Sequence, residues 1–203
     1  MFKKENKSQT IPVEPLPALL SLFHTGFQII EKPDIHRGRS NADFGQGFYL
    51  SDNEEFSRRW ASNLKGMTNY LNIYELNTEG LKIKRFTRSL EWFDYIFANR
   101  AGRKDELSDY DAIIGPIAND TIYDTYGILT SGFVKKDKAL KVLQIGNEYT
   151  QLVIKSEKAA SNLKFKKAEV LPSDEIEKYQ SIKKEEERLF QEGFRKIMGR
   201  LKF

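Results

Sequence analysis

The chain has 203 residues, 39% of them hydrophobic and 12% aromatic, enough for one core to form without disulfide or metal support. It has no cysteine and only two histidines, His24 and His36, so disulfides, thiolate catalysis and Cys-based zinc sites are excluded and no metal is expected. The net charge of +4 permits an anionic partner, nucleic acid included, without requiring one.

In chain order, residues 1–15 read as a loose polar arm that ends among Pro12, Pro15 and Pro17. No apolar run suits a signal peptide or a membrane crossing, so a cytoplasmic chain with no membrane partner is expected. Residues 20–30, LSLFHTGFQII, are rich in aromatic and β-branched residues and predict a strand, and Glu31-Lys32-Pro33-Asp34 ends it as a turn. Residues 36–46, HRGRSNADFGQ, combine glycine with polar groups and read as a functional loop. Gly47–Leu50 predicts a short strand. Ser51-Asp52-Asn53-Glu54-Glu55 supplies a cap and an acidic first turn, after which Phe56, Trp60 and Leu64 recur at helical spacing.

Residues 70–76 and 81–86 alternate as strands do, and Ser89–Asn99 places Trp92, Phe93, Ile96 and Phe97 on one helical face. Tyr110–Ile117 predicts a buried strand. Tyr123–Leu129 and Lys135–Leu143 suit short helices, Leu152-Val153-Ile154 a strand core, and Ser156–Leu163 a short helix or turn. From Ser173 onward a cap residue, an acidic start and a basic end predict a helix, broken near Gly193. Its apolar stripe runs through Ile176, Tyr179, Ile182, Phe190, Phe194, Ile197 and Leu201; packing on the core is its expected use, and binding a partner is the alternative. Short strands with few helices between them give an α+β fold. No dinucleotide or P-loop glycine fingerprint is present.

Three segments carry possible chemistry. His24 sits within an apolar strand before Thr25-Gly26, where an imidazole needs a partner. The run Asn41-Ala42-Asp43-Phe44-Gly45-Gln46-Gly47-Phe48-Tyr49-Leu50 joins glycines to an aromatic strand, and Tyr49 offers both a ring face and a hydroxyl. Tyr149-Thr150-Gln151 opens the third strand with polar side chains.

Together these segments resemble the signature strands of the ADP-ribosyltransferase fold. The stretches LFHTGFQIIEKPDI, GRSNADFGQGFYLSDNEEFSRRWA, YDAIIGPIAND and TQLVIKSEKAASNLKF resemble a bacterial family, domain of unknown function 3990, related to the catalytic domains of poly-ADP-ribose polymerases. The resemblance implies two packed mixed or antiparallel sheets forming an NAD cleft over residues 16–170, with residues 171–203 as a helical extension. It maps His24, Tyr49 and Gln151 onto a His-Tyr-Glu triad, with Glu148 in third place if the register shifts by three. It further implies that the imidazole holds the adenosine ribose, the backbone of Thr25 and Gly26 the nicotinamide carboxamide, and Tyr49 the nicotinamide ring. Ser57 and Trp60, eight and eleven residues past Tyr49, fall where the relatives place a carboxamide-binding serine and a second stacking aromatic. Arg39, Asp43, Phe44, Gly47 and Phe48 complete the expected NAD contacts.

The expected activity is therefore transfer of one ADP-ribose unit from NAD, a co-substrate, to an intracellular protein, RNA or DNA, without a metal. A glutamine keeps a hydrogen bond but supplies neither charge nor a base, so Glu148, Asp43 or Asp120 would have to help. An NAD glycohydrolase and a catalytically silent NAD- or ADP-ribose-binding module are the alternatives. A nucleic-acid binder without chemistry rests only on Arg37, Arg39, Arg58, Arg59, Arg85, Arg88, Arg100 and Arg103. The family resemblance also implies a toxin-like effector with an antitoxin partner.

Overall fold

The computed structural model describes residues 15–118, 141–142 and 145–199. Its elements are β1 (Leu19–Gly26), β2 (Phe48–Ser51), α1 (Glu54–Arg58), β3 (Asn69–Asn77), β4 (Ile83–Arg85), α2 (Leu90–Arg100), β5 (Ala112–Pro116), β6 (Thr150–Ile154), α3 (Glu157–Ser161), β7 (Leu163–Leu171) and α4 (Ser173–Met198). The expected Tyr123–Leu129 helix lies outside the described residues. Of the Lys135–Leu143 helix, Lys141 and Val142 are described, and both are helical.

The fold is α+β, but the expected pair of packed sheets does not form. One mixed sheet runs in the order β4-β5-β6-β2-β1-β3-β7. Only β4 and β5 pair in parallel. The physical reason is that β2 pairs along its whole length with β6 and still reaches β1, so the halves stay in one ladder. That central join is thin. β1 pairs with β3 over all its residues, from Leu19↔Asn77 to Gly26↔Tyr70, whereas its register with β2 is the single pair Phe23↔Ser51.

Period-2 alternation sends the side chains of each strand to two different cores. Leu22, Phe48, Leu50, Tyr74, Leu152 and Ile154 pack on one face, with Ile35 and Ala159 over them. On the other face Val153 and Ile113 meet Trp92, Ile96, Phe44 and Phe190 beside β6 and β5, and Leu71 meets Ala61, Leu171 and Ile176 beside β3. Trp92 is fully buried, and its indole donates to Pro116 O at 3.0 Å, so its one polar atom is satisfied.

Three local expectations change. First, β7 appears where none is expected, because its sequence LKFKKAEVL does not alternate. A bulge explains this: Tyr74 pairs with Phe165 but Ile73 with Lys167, leaving Lys166 as the extra residue. The parity switch lets Leu163 and Phe165 face one core and Leu171 the other. Second, α1 is one short turn capped by Asn53, whose side chain accepts from Phe56 N. It ends at Arg58, and Trp60 and Leu64 are exposed rather than on a buried helical face. Third, α4 runs unbroken through Gly193 and starts after Pro172 with no side-chain cap. A β-carbon at Gly193 would come within 2.9 Å of Ile145 Cγ2, so glycine here permits close packing and does not interrupt the helix. Phe190, 3% exposed, anchors α4 in the same core as Trp92. Burial of such a ring contributes roughly 1.5–3 kcal/mol, whereas ion pairs along an exposed helix face add little, so packing sets the position of α4.

Candidate functional site

Polar groups gather where β1 and β2 part. The chain brings His24 here because the aromatic and aliphatic residues around it on β1 commit the strand to the interior. Its ring lies against Phe48 at 4.7 Å, and Nδ1 is 2.8 Å from Tyr49 O. A carbonyl only accepts, so Nδ1 carries the proton and Nε2 is left as an acceptor. Burial holds the imidazole below its ordinary pKa, with the bond to Tyr49 opposing weakly, so the ring is neutral near pH 7. A β-carbon at Gly26 would sit 3.4 Å from Nε2, and glycine there leaves that edge uncovered.

Buried Asn72 fixes the chain just past this strand. It accepts from Ile30 N at 2.9 Å and donates to Gln28 O at 3.0 Å and to His24 O at 3.4 Å. Tyr74 adds a bond to Ile30 O at 2.6 Å. Neither residue is among the expected site residues; the available signal is an asparagine at an inward position of an apolar strand.

Tyr49 packs toward the opposite core from His24. Its hydroxyl accepts from Phe44 N at 2.9 Å and donates to Gly45 O at 2.7 Å, closing the 42–47 loop onto β2. Burial pushes the phenol above its ordinary range, so it stays protonated. Imidazole and phenol therefore meet through the Tyr49 carbonyl and not side chain to side chain. The loop has further fastenings. Lys155 donates to Phe44 O at 2.6 Å and pairs with Asp105. Gly45 adopts φ 76°, a conformation that favours glycine.

Extending the Phe23↔Ser51 register by two residues sets Thr25 opposite Tyr49, on its face of the sheet. Thr25 Oγ1 lies 3.4 Å from the buried Ser57 Oγ at the end of α1. Gln151 pairs with Ser51 on β2 and with Gly115 on β5, so it lies on the same face, one row on from Tyr49. Its Nε2 donates to Asp43 Oδ2 at 3.1 Å. Arg100 holds the other oxygen of Asp43 at 2.6 Å and donates to Ala118 O. Thr25, Tyr49, Ser57, Gln151 and Asp43 thus come together in one strip.

The remaining expected contacts divide. Arg39 is exposed, and its charge is a minor influence against the burial that raises the Tyr49 phenol pKa. Trp60 is exposed, edge-on to Phe56 at 6.1 Å. Phe44 and Phe48 are core residues, and Gly47 is enclosed, with Ile154 O at 2.5 Å from where a β-carbon would stand. Those three have no surface to offer a ligand in this conformation; aromatic packing and a close strand crossing account for them. Glu148 stands in the loop before β6, exposed and 3.6 Å from Arg88, outside the strip that holds Gln151. Asp120 lies outside the described residues.

Several arginines counted toward a nucleic-acid surface have internal partners. Arg58 binds Glu54, Glu169 and Glu175, and Arg59 binds Glu186 and Tyr149. Arg88 donates to Asn147 O at 2.7 Å, and Arg100 is taken by Asp43. Among the described residues no His, Asp and Glu group could hold a metal ion, and no helix is long and apolar enough to cross a membrane.

The model of the family described as "Protein of unknown function (DUF3990)" matches residues 20–165. The chain belongs to this family. The match runs from β1 into β7 and takes in every residue of the polar strip. No curated protein and no solved structure matches the chain.

Proposed function

We propose that this DUF3990 chain is an NAD-dependent mono-ADP-ribosyltransferase of ADP-ribosyltransferase type, acting on an intracellular protein or nucleic acid. The observation that carries the reading is the parting of β1 and β2 beyond Phe23↔Ser51, with Thr25, Ser57 and Tyr49 along the opening, Gln151 across β2 on the same face, and a neutral His24 at its edge. A split between strands gives a flat ligand access to backbone groups on one side and to side chains on the other.

In this reading the backbone at Thr25 and Gly26, with Ser57, holds the nicotinamide carboxamide. The half-buried ring of Tyr49 and exposed Trp60 offer stacking surfaces. The Tyr49 hydroxyl, engaged in the loop, makes the nicotinamide-side wall rigid. His24 Nε2 accepts from a ribose hydroxyl, and Nδ1 stays anchored on Tyr49 O.

The reaction balances without a redox partner. The bond between nicotinamide nitrogen and the ribose anomeric carbon breaks, and its electron pair neutralises the departing pyridinium. A nucleophile on the acceptor bonds to that carbon and gives up one proton. Catalysis then rests on holding NAD in a reactive geometry and on groups set to meet the positive charge that develops on the ribose.

The test is incubation of the chain with labelled NAD and separate protein, RNA and DNA pools, followed by mass analysis. A single ADP-ribose increment on one pool is expected, abolished in His24→Ala and Ser57→Ala proteins that keep their fold. Label found only in long polymers, or NAD left intact in every pool, would overturn the proposal.

A further inference from the structure

We infer that Asp43 and Gln151 work as a unit in which the carboxylate orients the amide, so that Gln151 presents an oxygen and Asp43 places a negative charge behind it. This rests on the NAD reading above and explains how a glutamine serves where the resemblance implies a glutamate.

An unconstrained glutamine can offer either end of its amide, because rotation about the last torsion exchanges oxygen and nitrogen. Here the choice is made by a neighbour. Gln151 is 8% exposed on β6, and its amide lies 3.1 Å from Asp43 Oδ2. An ionised carboxylate has only acceptors, so the NH2 must face it and Oε1 must face away. Among the described residues Oε1 has no hydrogen-bond partner, which leaves it available to a ligand hydroxyl.

Asp43 is itself held. Arg100 grips Oδ1 at 2.6 Å, and Asn99 donates to the Asp43 carbonyl at 3.2 Å, both from the last turn of α2. The aspartate is about as enclosed as the arginine, with side chains 12% and 15% exposed. A charge-bearing acceptor on one side of an amide polarises it and makes the far oxygen a stronger acceptor. The carboxylate's two functions are thereby divided: Gln151 Oε1 accepts from the ribose hydroxyl, and Asp43 contributes the field. Neither takes the acceptor's proton, which passes to solvent. Asp43 is a positioning residue, acting through Gln151.

The experiment compares NAD binding and nicotinamide release by the full chain as wild type, Asp43→Asn, Gln151→Glu and the double variant Asp43→Asn/Gln151→Glu. Loss of one preorganised electrostatic group costs roughly a hundredfold in kcat, and that fall is expected for Asp43→Asn with KM for NAD little changed. The double variant exchanges carboxylate and amide, so the amide introduced at position 43 donates to the carboxylate introduced at position 151, and recovery of most of the lost rate is expected. A double variant as slow as Asp43→Asn, in a wild type that cleaves NAD, overturns this inference and leaves the NAD reading standing. A wild type that neither binds nor cleaves NAD takes down both.

Because Asp43→Asn also removes a partner of Arg100, a wild-type measurement stands beside the variants. In the 15N-labelled chain one Gln151 side-chain amide proton is expected to be shifted downfield and slow to exchange. Two protons with the shifts and exchange rates of a free glutamine amide would overturn the inference.

Discussion

His24 donates from Nδ1 to the main-chain oxygen of Tyr49 at 2.8 Å and so ties two strands by a side chain where their backbones have separated. The bond fixes the tautomer, and burial keeps the ring neutral. Both follow from placing one imidazole inside an apolar strand beside the Tyr49 carbonyl.

The depressed pKa of His24 gives stability a pH dependence of known sign. The unfolded imidazole binds a proton near pH 6.5, and the folded one resists until the pH is lower. The unfolded state therefore takes up more protons in that interval, and stability, complete above about pH 6.5, declines as the pH falls below it. His24→Asn keeps a donor for Tyr49 O and cannot titrate. Urea unfolding from about pH 7.5 to 5, a span that brackets the titration of an ordinary imidazole, should show a steeper loss for the wild type. Equal slopes would assign the effect to other groups.

Tyr49→Phe should loosen the 42–47 loop. It leaves Phe44 N–H and Gly45 C=O without the hydroxyl that joins them, at a cost of about 1–3 kcal/mol. Denaturant titration measures the loss, and faster amide exchange at Phe44 locates it. Unchanged exchange would mean that Lys155 and the bonds to Asp43 hold the loop without the hydroxyl.

Asn72→Asp separates the two halves of one amide. The carboxylate can still accept from Ile30 N, but it cannot donate to Gln28 O, and a charge is left in a fully buried site. A loss of at least about 2 kcal/mol is expected, larger than a missing hydrogen bond alone. A variant as stable as wild type would show that water reaches this position.

Gly193→Ala pits helix propensity against packing. Alanine should gain about 1 kcal/mol in a helix interior, but its β-carbon would meet Ile145 Cγ2 at 2.9 Å. Overpacking costs about 1–3 kcal/mol, so the expected net is a lower thermal midpoint. Adding Ile145→Ala removes that methyl and should make the alanine at 193 favourable, relative to Ile145→Ala alone.

Much of this arrangement is legible in residue types, because period and punctuation are local. The strand carrying His24, the aromatic face of α2 and the Gly-rich loop before Tyr49 all declare themselves by spacing. What stays hidden depends on partners distant in the chain. β7 loses its alternation to a bulge set by pairing with β3. Gly193 looks like a helix stop because Ile145, the reason for it, lies far away in sequence. Trp60 looks buried only on the assumption that α1 continues past Arg58. At the site, Gln151 is visible as a polar residue opening a strand, but its bond to Asp43 spans more than a hundred residues, and Arg100 looks like one more surface cation.

The sheet's two margins have a consequence for life at high protein concentration. One margin is β4, only three residues long, and the other is β7, bent by its extra lysine and flanked by exposed Lys164 and Lys167. Short reach on one side, and curvature with exposed charged side chains on the other, make each border a poor template on which a neighbouring molecule could add its own strand. A chain with two such borders is guarded against fibrous self-association.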